Sequence, residues 1–79
     1  MSYYIVFETV SSGDDEEAEV LYTAMADDED EVFKWWKNTH RTKSYKFTSD
    51  TGNVFEYCGC EKIKKVEFKI LERYCRRLI

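Results

Sequence analysis

Hydrophobic and polar positions change their spacing several times along the chain, and each change marks an element. Residues 3–10 are β-branched and aromatic and run into the turn formers Ser11, Ser12, Gly13 and Asp14, which predicts a first strand. Residues 17–25 alternate, with Ala18, Val20, Tyr22 and Ala24 on one face and Glu17, Glu19, Leu21, Thr23 and Met25 on the other, as expected of a hairpin partner with an exposed acidic end. From 27 to 40 the period lengthens to that of a helix. Asp28 followed three residues later by Glu31 is an Asp variant of the capping box, and Lys34, Lys37 and Arg41 come late, where the helix dipole favours cations. At 100° per residue Val32, Phe33, Trp36 and His40 share a stripe of about 100°, whereas Trp35 falls about 110° from its centre, so Trp36 is the core tryptophan.

Residues 44–49 and 53–60 flank Asp50, Thr51 and Gly52, the pattern of a second hairpin whose glycine takes the left-handed position of a bulged turn. Residues 62–79 fit two templates. Val66, Phe68 and Ile70 alternate as in a strand, while Ile63, Val66, Ile70, Tyr74 and Leu78 fit a helical face. The β-branched Val66 and Ile70, together with Phe68, which that helix would expose, favour a strand to about Leu71 and then a short basic turn or helix. The order ββαβββ predicts an α+β fold, an antiparallel sheet of four to five strands with one helix packed on a face. A chain of 79 residues has room for a single domain, 1–79, and one core.

Composition narrows the class. With 43% apolar residues, 13 aromatics, no proline and three glycines, the chain has the makings of a folded domain. Its longest apolar run, 3–7, is far short of the roughly 20 residues of a membrane span, and the first basic side chain is Lys34, which predicts a soluble, unexported protein. Three cysteines cannot all pair within the chain, as expected of a reducing, cytoplasmic setting.

Candidate chemistry is thin. His40 is the only histidine and its ordinary reading is a capping or packing residue, while adjacent acids such as Asp14 and Asp15 lack an enclosing pocket, so no enzyme is expected. Cys58, Gly59 and Cys60 form a C-x-C, with Cys75 fifteen residues on and His40 elsewhere. A Cys₃His site can be drawn from them, but common knuckles use C-x₂₋₄-C, and three reduced thiols without metal are the expectation. In a regular strand Cys58 and Cys60 share a face. Gly13, Gly52 and Gly59 are isolated, so no phosphate loop and no cofactor are expected.

Charge is the unusual feature. Residues 1–31 hold eleven acids and no Lys or Arg, and residues 32–79 hold all twelve bases against five acids, so a net charge of −4 conceals −11 and +7. Asp14, Asp15, Glu16, Glu17 and Glu19 form one acidic cluster and residues 27–31 another. Some of this serves the helix dipole and hairpin solubility, but carboxylates in series repel one another, and a basic partner would offset that repulsion. The functional expectation is one continuous negative patch made of Asp14, Asp15, Glu16, Glu17, Glu19, Asp27, Asp28, Asp30 and Glu31, with Trp35 as an aromatic anchor at its edge. Duplex DNA carries about one charge per 1.7 Å, a density such a patch approximates. In size, acidity, aromatic richness and reduced cysteines the chain resembles the small acidic inhibitors that phages and mobile elements encode against host nucleases, polymerases and CRISPR effectors. That resemblance implies a non-enzymatic protein-binding module that blocks a basic, nucleic-acid-binding site on a larger host protein. The alternative is a small nucleic-acid-binding protein using Lys62, Lys64, Lys65, Lys69, Arg73, Arg76 and Arg77 with Tyr74, against which stands a pI near 5.0. Head-to-tail self-assembly of a chain with separated charges is a third expectation, and membership of a larger complex a fourth.

Overall fold

The computed structural model describes residues 1–12 and 16–78. Strand β1 (Ser2–Ser11) pairs along its whole length with β2 (Glu17–Ala26), from Ser2 opposite Ala26 to Ser11 opposite Glu17. Both strands alternate inward and outward as their sequences predict, and Tyr4, Val6, Tyr22, Ala24 and Ala26 form the buried set on one face. Helix α1 (Glu29–His40) crosses that face. The side chain of Asp28 caps it by accepting from the Glu31 N–H at 2.9 Å, and Arg41 closes it in the left-handed region, φ 54°.

Strands β3 (Lys46–Thr48) and β4 (Val54–Ile63) form the second hairpin, and β4 pairs antiparallel with the free side of β1. Gly52, φ +86°, makes the tight turn, donating its N–H to the Ser49 carbonyl at 3.0 Å. Helix α2 (Lys65–Leu71) follows, and β5 (Arg76–Arg77) then runs parallel to β2 at the far edge. The sheet has five strands in the order β3-β4-β1-β2-β5. Among the described residues no helix is long and apolar enough to cross a membrane.

The α+β class is as expected, but the arrangement is not a purely antiparallel sheet with one helix. The sheet is mixed, there are two helices, and the order is ββαββαβ. Residues 65–71 are helical where alternation favoured a strand, because one side chain decides the segment. Phe68 is buried against Tyr3, ring centroids 4.8 Å apart, while Val66 and Ile70 face solvent. The helix starts where Glu67 Oε1 accepts from the Lys64 N–H at 3.0 Å.

Tyr3 alternates with the core residue Tyr4, and Arg77, whose guanidinium lies 5.9 Å from the Phe68 ring, is in register with Thr23 rather than Tyr22. Helix α2 therefore covers the face opposite α1, and the molecule has three layers.

One irregularity re-aims the cysteines. Phe7 is opposite Gly59 and Glu8 opposite Tyr57, so Cys58 is an unpaired bulge residue, with Gly59 at φ +108°. The bulge overturns the shared-face expectation. Cys60 packs against the α1-side core, and the exposed Cys58 lies on the other side, its Sγ 3.7 Å from Thr9 Oγ1.

Candidate functional site

The acidic residues divide between two ends of the molecule. Asp14 and Asp15 lie outside the described residues. Glu16, Glu17 and Glu19 are exposed at the start of β2, and Asp27, Asp28 and Asp30 are exposed just past its end, with Glu31 partly exposed in the first turn of α1. Ten residue steps of extended chain between Glu17 and Asp27 span about 33 Å, nearly the molecule's longest extent of 38 Å. The single continuous patch is thus replaced by two anionic poles.

The pole at α1 is organised by helix geometry. Trp35 is four residues after Glu31 and seven after Asp28, which puts all three on one flank of α1. Its indole is 41% exposed, whereas Trp36 next to it is fully buried. Among the described residues, none of Asp27, Asp28, Glu29, Asp30 and Glu31 lies within ion-pair distance of a lysine or arginine. On α1 itself Lys34 stands one turn after Asp30 and Glu31 without pairing with either, and Lys37 is occupied over the Phe33 ring, 4.4 Å from its centroid. Lys65, Lys69 and Arg73 are exposed with α2 on the other face of the sheet. Both helices therefore carry cations, and what distinguishes the α1 acids is that none of them pairs with one among the described residues.

One acid belongs to neither pole. Glu8, 1% exposed, points into the α1-side core, because position 8 continues the inward register of Tyr4 and Val6. Its Oε1 accepts from Trp36 Nε1–H at 2.9 Å and from the Tyr22 hydroxyl at 3.1 Å. His40 Nε2 approaches the same oxygen at 2.7 Å but off the line of a hydrogen bond. Burial, and after it the charge of Glu8 and its hydrogen bond, push the Tyr22 hydroxyl up to about 12. One carboxylate oxygen thereby ties β1 to β2 and to α1. Burial likewise raises Tyr57, and it raises the Cys60 thiol, with the Glu29 carboxylate adding to the effect, so Cys60 is held as a thiol.

His40 sits among Trp36, Phe47 and Phe55 with ring centroids 4.8 to 5.5 Å away. Among the described residues no three His, Cys, Asp or Glu side chains converge to hold a metal ion. A count of charge takes Glu8 only as one of the eleven acids of residues 1–31 and gives it no role. The signal that identifies it is its place in the alternation, a carboxylate where an apolar residue belongs. Comparison of the chain with protein-family models, with curated proteins and with solved structures finds no match.

Proposed function

We propose that the protein is a non-enzymatic binding module whose α1 pole, Asp27, Asp28, Asp30 and Glu31 with Trp35 beside them, occupies a basic, nucleic-acid-binding site on a larger protein. The observation that carries this reading is a set of exposed and partly exposed carboxylates that have no lysine or arginine partner among the described residues and border a half-exposed tryptophan. A cationic groove offsets their mutual repulsion, and the indole supplies the buried aromatic contact on which interface energy concentrates. The second pole, Glu16, Glu17 and Glu19, lies about 33 Å away along β2, close to one turn of B-DNA at about 34–36 Å. A groove that follows a duplex backbone is long enough to reach both poles, and on this reading the module would act in the host cytoplasm as an inhibitor of phage or mobile-element origin.

The test is capture of a partner from an extract of the source organism, identified by mass spectrometry, followed by affinity measurement at low and high salt. Replacing Asp27, Asp30 and Glu31 with lysine spares the Asp28 cap and is expected to weaken the complex by about 100-fold or more, since each reversal replaces attraction with repulsion. Unchanged affinity at low salt would sink the reading.

A second reading, direct nucleic-acid binding, is favoured by one observation: Lys65, Lys69 and Arg73 are exposed near Tyr74, itself 82% exposed. Under it, Tyr74→Ala and Arg73→Glu abolish retention of a labelled single strand and the α1 reversals leave it intact.

A further inference from the structure

The outer side of α2 is unlike an ordinary solvated helix. Val66 and Ile70, one turn apart, are 62% and 56% exposed, and Lys65, Lys69 and Arg73 run along one side of them. Together the five side chains line an open groove of about 450 Å³. Phe68 anchors the helix to the sheet from the other side, so burial of Val66 and Ile70 is not needed to hold α2 in place. Exposed apolar residues in register, with Lys65, Lys69 and Arg73 on one side and on the other Glu67, whose carboxylate already accepts from the Lys64 N–H, call for an occupant that is apolar and anionic.

The chain itself carries such a surface. On the flank of α1, Trp35 is an exposed aromatic with Glu31 one turn and Asp28 two turns before it, and these acids have no lysine or arginine partner among the described residues. On α1 the acids and the indole follow one another along one flank, and on α2 the cations run beside the aliphatic pair, each with the one-turn repeat of a helix. Within one molecule the two surfaces cannot meet, because the sheet lies between α1 and α2. We propose that α2 is a docking site for the α1 flank of a second copy of this chain, with Trp35 over Val66 and Ile70 and the acids of α1 against Lys65, Lys69 and Arg73.

The symmetry of the assembly follows from the layers. The two complementary surfaces face in opposite directions, so a closed two-fold pair cannot satisfy both at once, and the contact propagates head to tail. Copies stack α1 on α2, each leaving one surface free at either end. This contact uses the same α1 pole as the proposed function, so a bound basic partner ends a stack. The α2 surface takes no part in that function, which keeps the two separable.

Sedimentation velocity on the full chain over a range of concentrations, in low and high salt, reads the assembly directly. In low salt the average mass is expected to rise continuously with concentration above the 9.5 kDa of one chain, and to return to that value in high salt. Variant K65E/K69E/R73E, and separately variant D27K/E31K, should each weaken association by about tenfold or more while circular dichroism shows the fold retained. Mixing the two variants should restore assembly, because the reversed α2 of one matches the reversed α1 of the other. The α2 variant should keep full affinity for a captured basic partner, so failure of self-association and failure of the functional reading are told apart. A wild-type chain that stays at the monomer mass throughout, assembly indifferent to the α2 reversal, or a mixture that stays monomeric would each overturn the proposal.

Discussion

Helices α1 and α2 lie on opposite faces of one sheet, and they are held there in different ways. Helix α1 has twelve residues, buries Val32 and Trp36 completely, and adds a polar latch through Trp36 to Glu8. Helix α2 has seven residues and buries Phe68 alone. A helix that short has little stability of its own, so its one aromatic anchor decides whether it forms. The side of the sheet that closes tightly also carries the buried charge, and the side that closes loosely presents apolar residues to solvent. Internal fastening sits with α1, and surface available for partners sits on α2 and on the exposed flank of α1.

Substitutions can break this contrast, the most damaging on the α1 side. Trp36→Ala removes the largest fully buried side chain and deprives Glu8 of a donor, and is expected to cost about 4–5 kcal/mol in denaturant unfolding. Glu8→Ala leaves the Trp36 N–H and the Tyr22 hydroxyl unpaired inside the core, with a cost of about 3–4 kcal/mol. Glu8→Gln keeps an acceptor oxygen and should cost about 1–2 kcal/mol. If the two Glu8 variants were equally destabilised, the latch would owe its strength to charge rather than to its hydrogen bonds.

On the looser face, Phe68→Ala is expected to cost about 3 kcal/mol, the low end for a buried phenylalanine. Hydrogen exchange should show residues 65–71 losing protection while β1, β2 and α1 keep theirs. Global collapse would mean that α2 is as integral as α1. The alkaline limb of stability gives a further check. Tyr22 titrates near 10 when unfolded and at about 12 when folded, so the folded state holds its proton more tightly. Stability from this group is complete below pH 10 and is lost as pH rises through about 12, and Tyr22→Phe should flatten that fall in a series of unfolding curves. The smallest effect is expected from Asp28→Ala, about 1 kcal/mol for one lost cap. A negligible loss would show that packing of Val32 and Trp36, rather than the cap, sets where α1 begins.

Much of this architecture was legible in the chain. Alternation at 3–10 and 17–25, the Asp28 cap, the Trp36 stripe and the Gly52 turn each depend on residues within about four positions of one another, so local pattern suffices to read them. Separation of the acidic clusters was legible too, since a ten-residue strand between them must hold them about 33 Å apart. The expectation of one patch overlooked the length of its own hairpin.

Other features depend on remote contacts. Whether residues 65–71 form a strand or a helix is undecided by their alternation, and Tyr3, more than sixty positions away, settles it by offering Phe68 a place to bury. The bulge at Cys58 exists only in the pairing of β4 with β1, and it alone sends Cys58 and Cys60 to different sides. Glu8 reads as one acid among eleven until Trp36 and Tyr22 arrive over it. Short-range periodicity and capping are enough to encode β1, β2, α1 and the Gly52 turn, because the residues involved are neighbours along the chain. The second helix, the role of the buried carboxylate and the bulge that parts the two cysteines arise only in the folded chain, because each depends on contacts between residues remote in sequence.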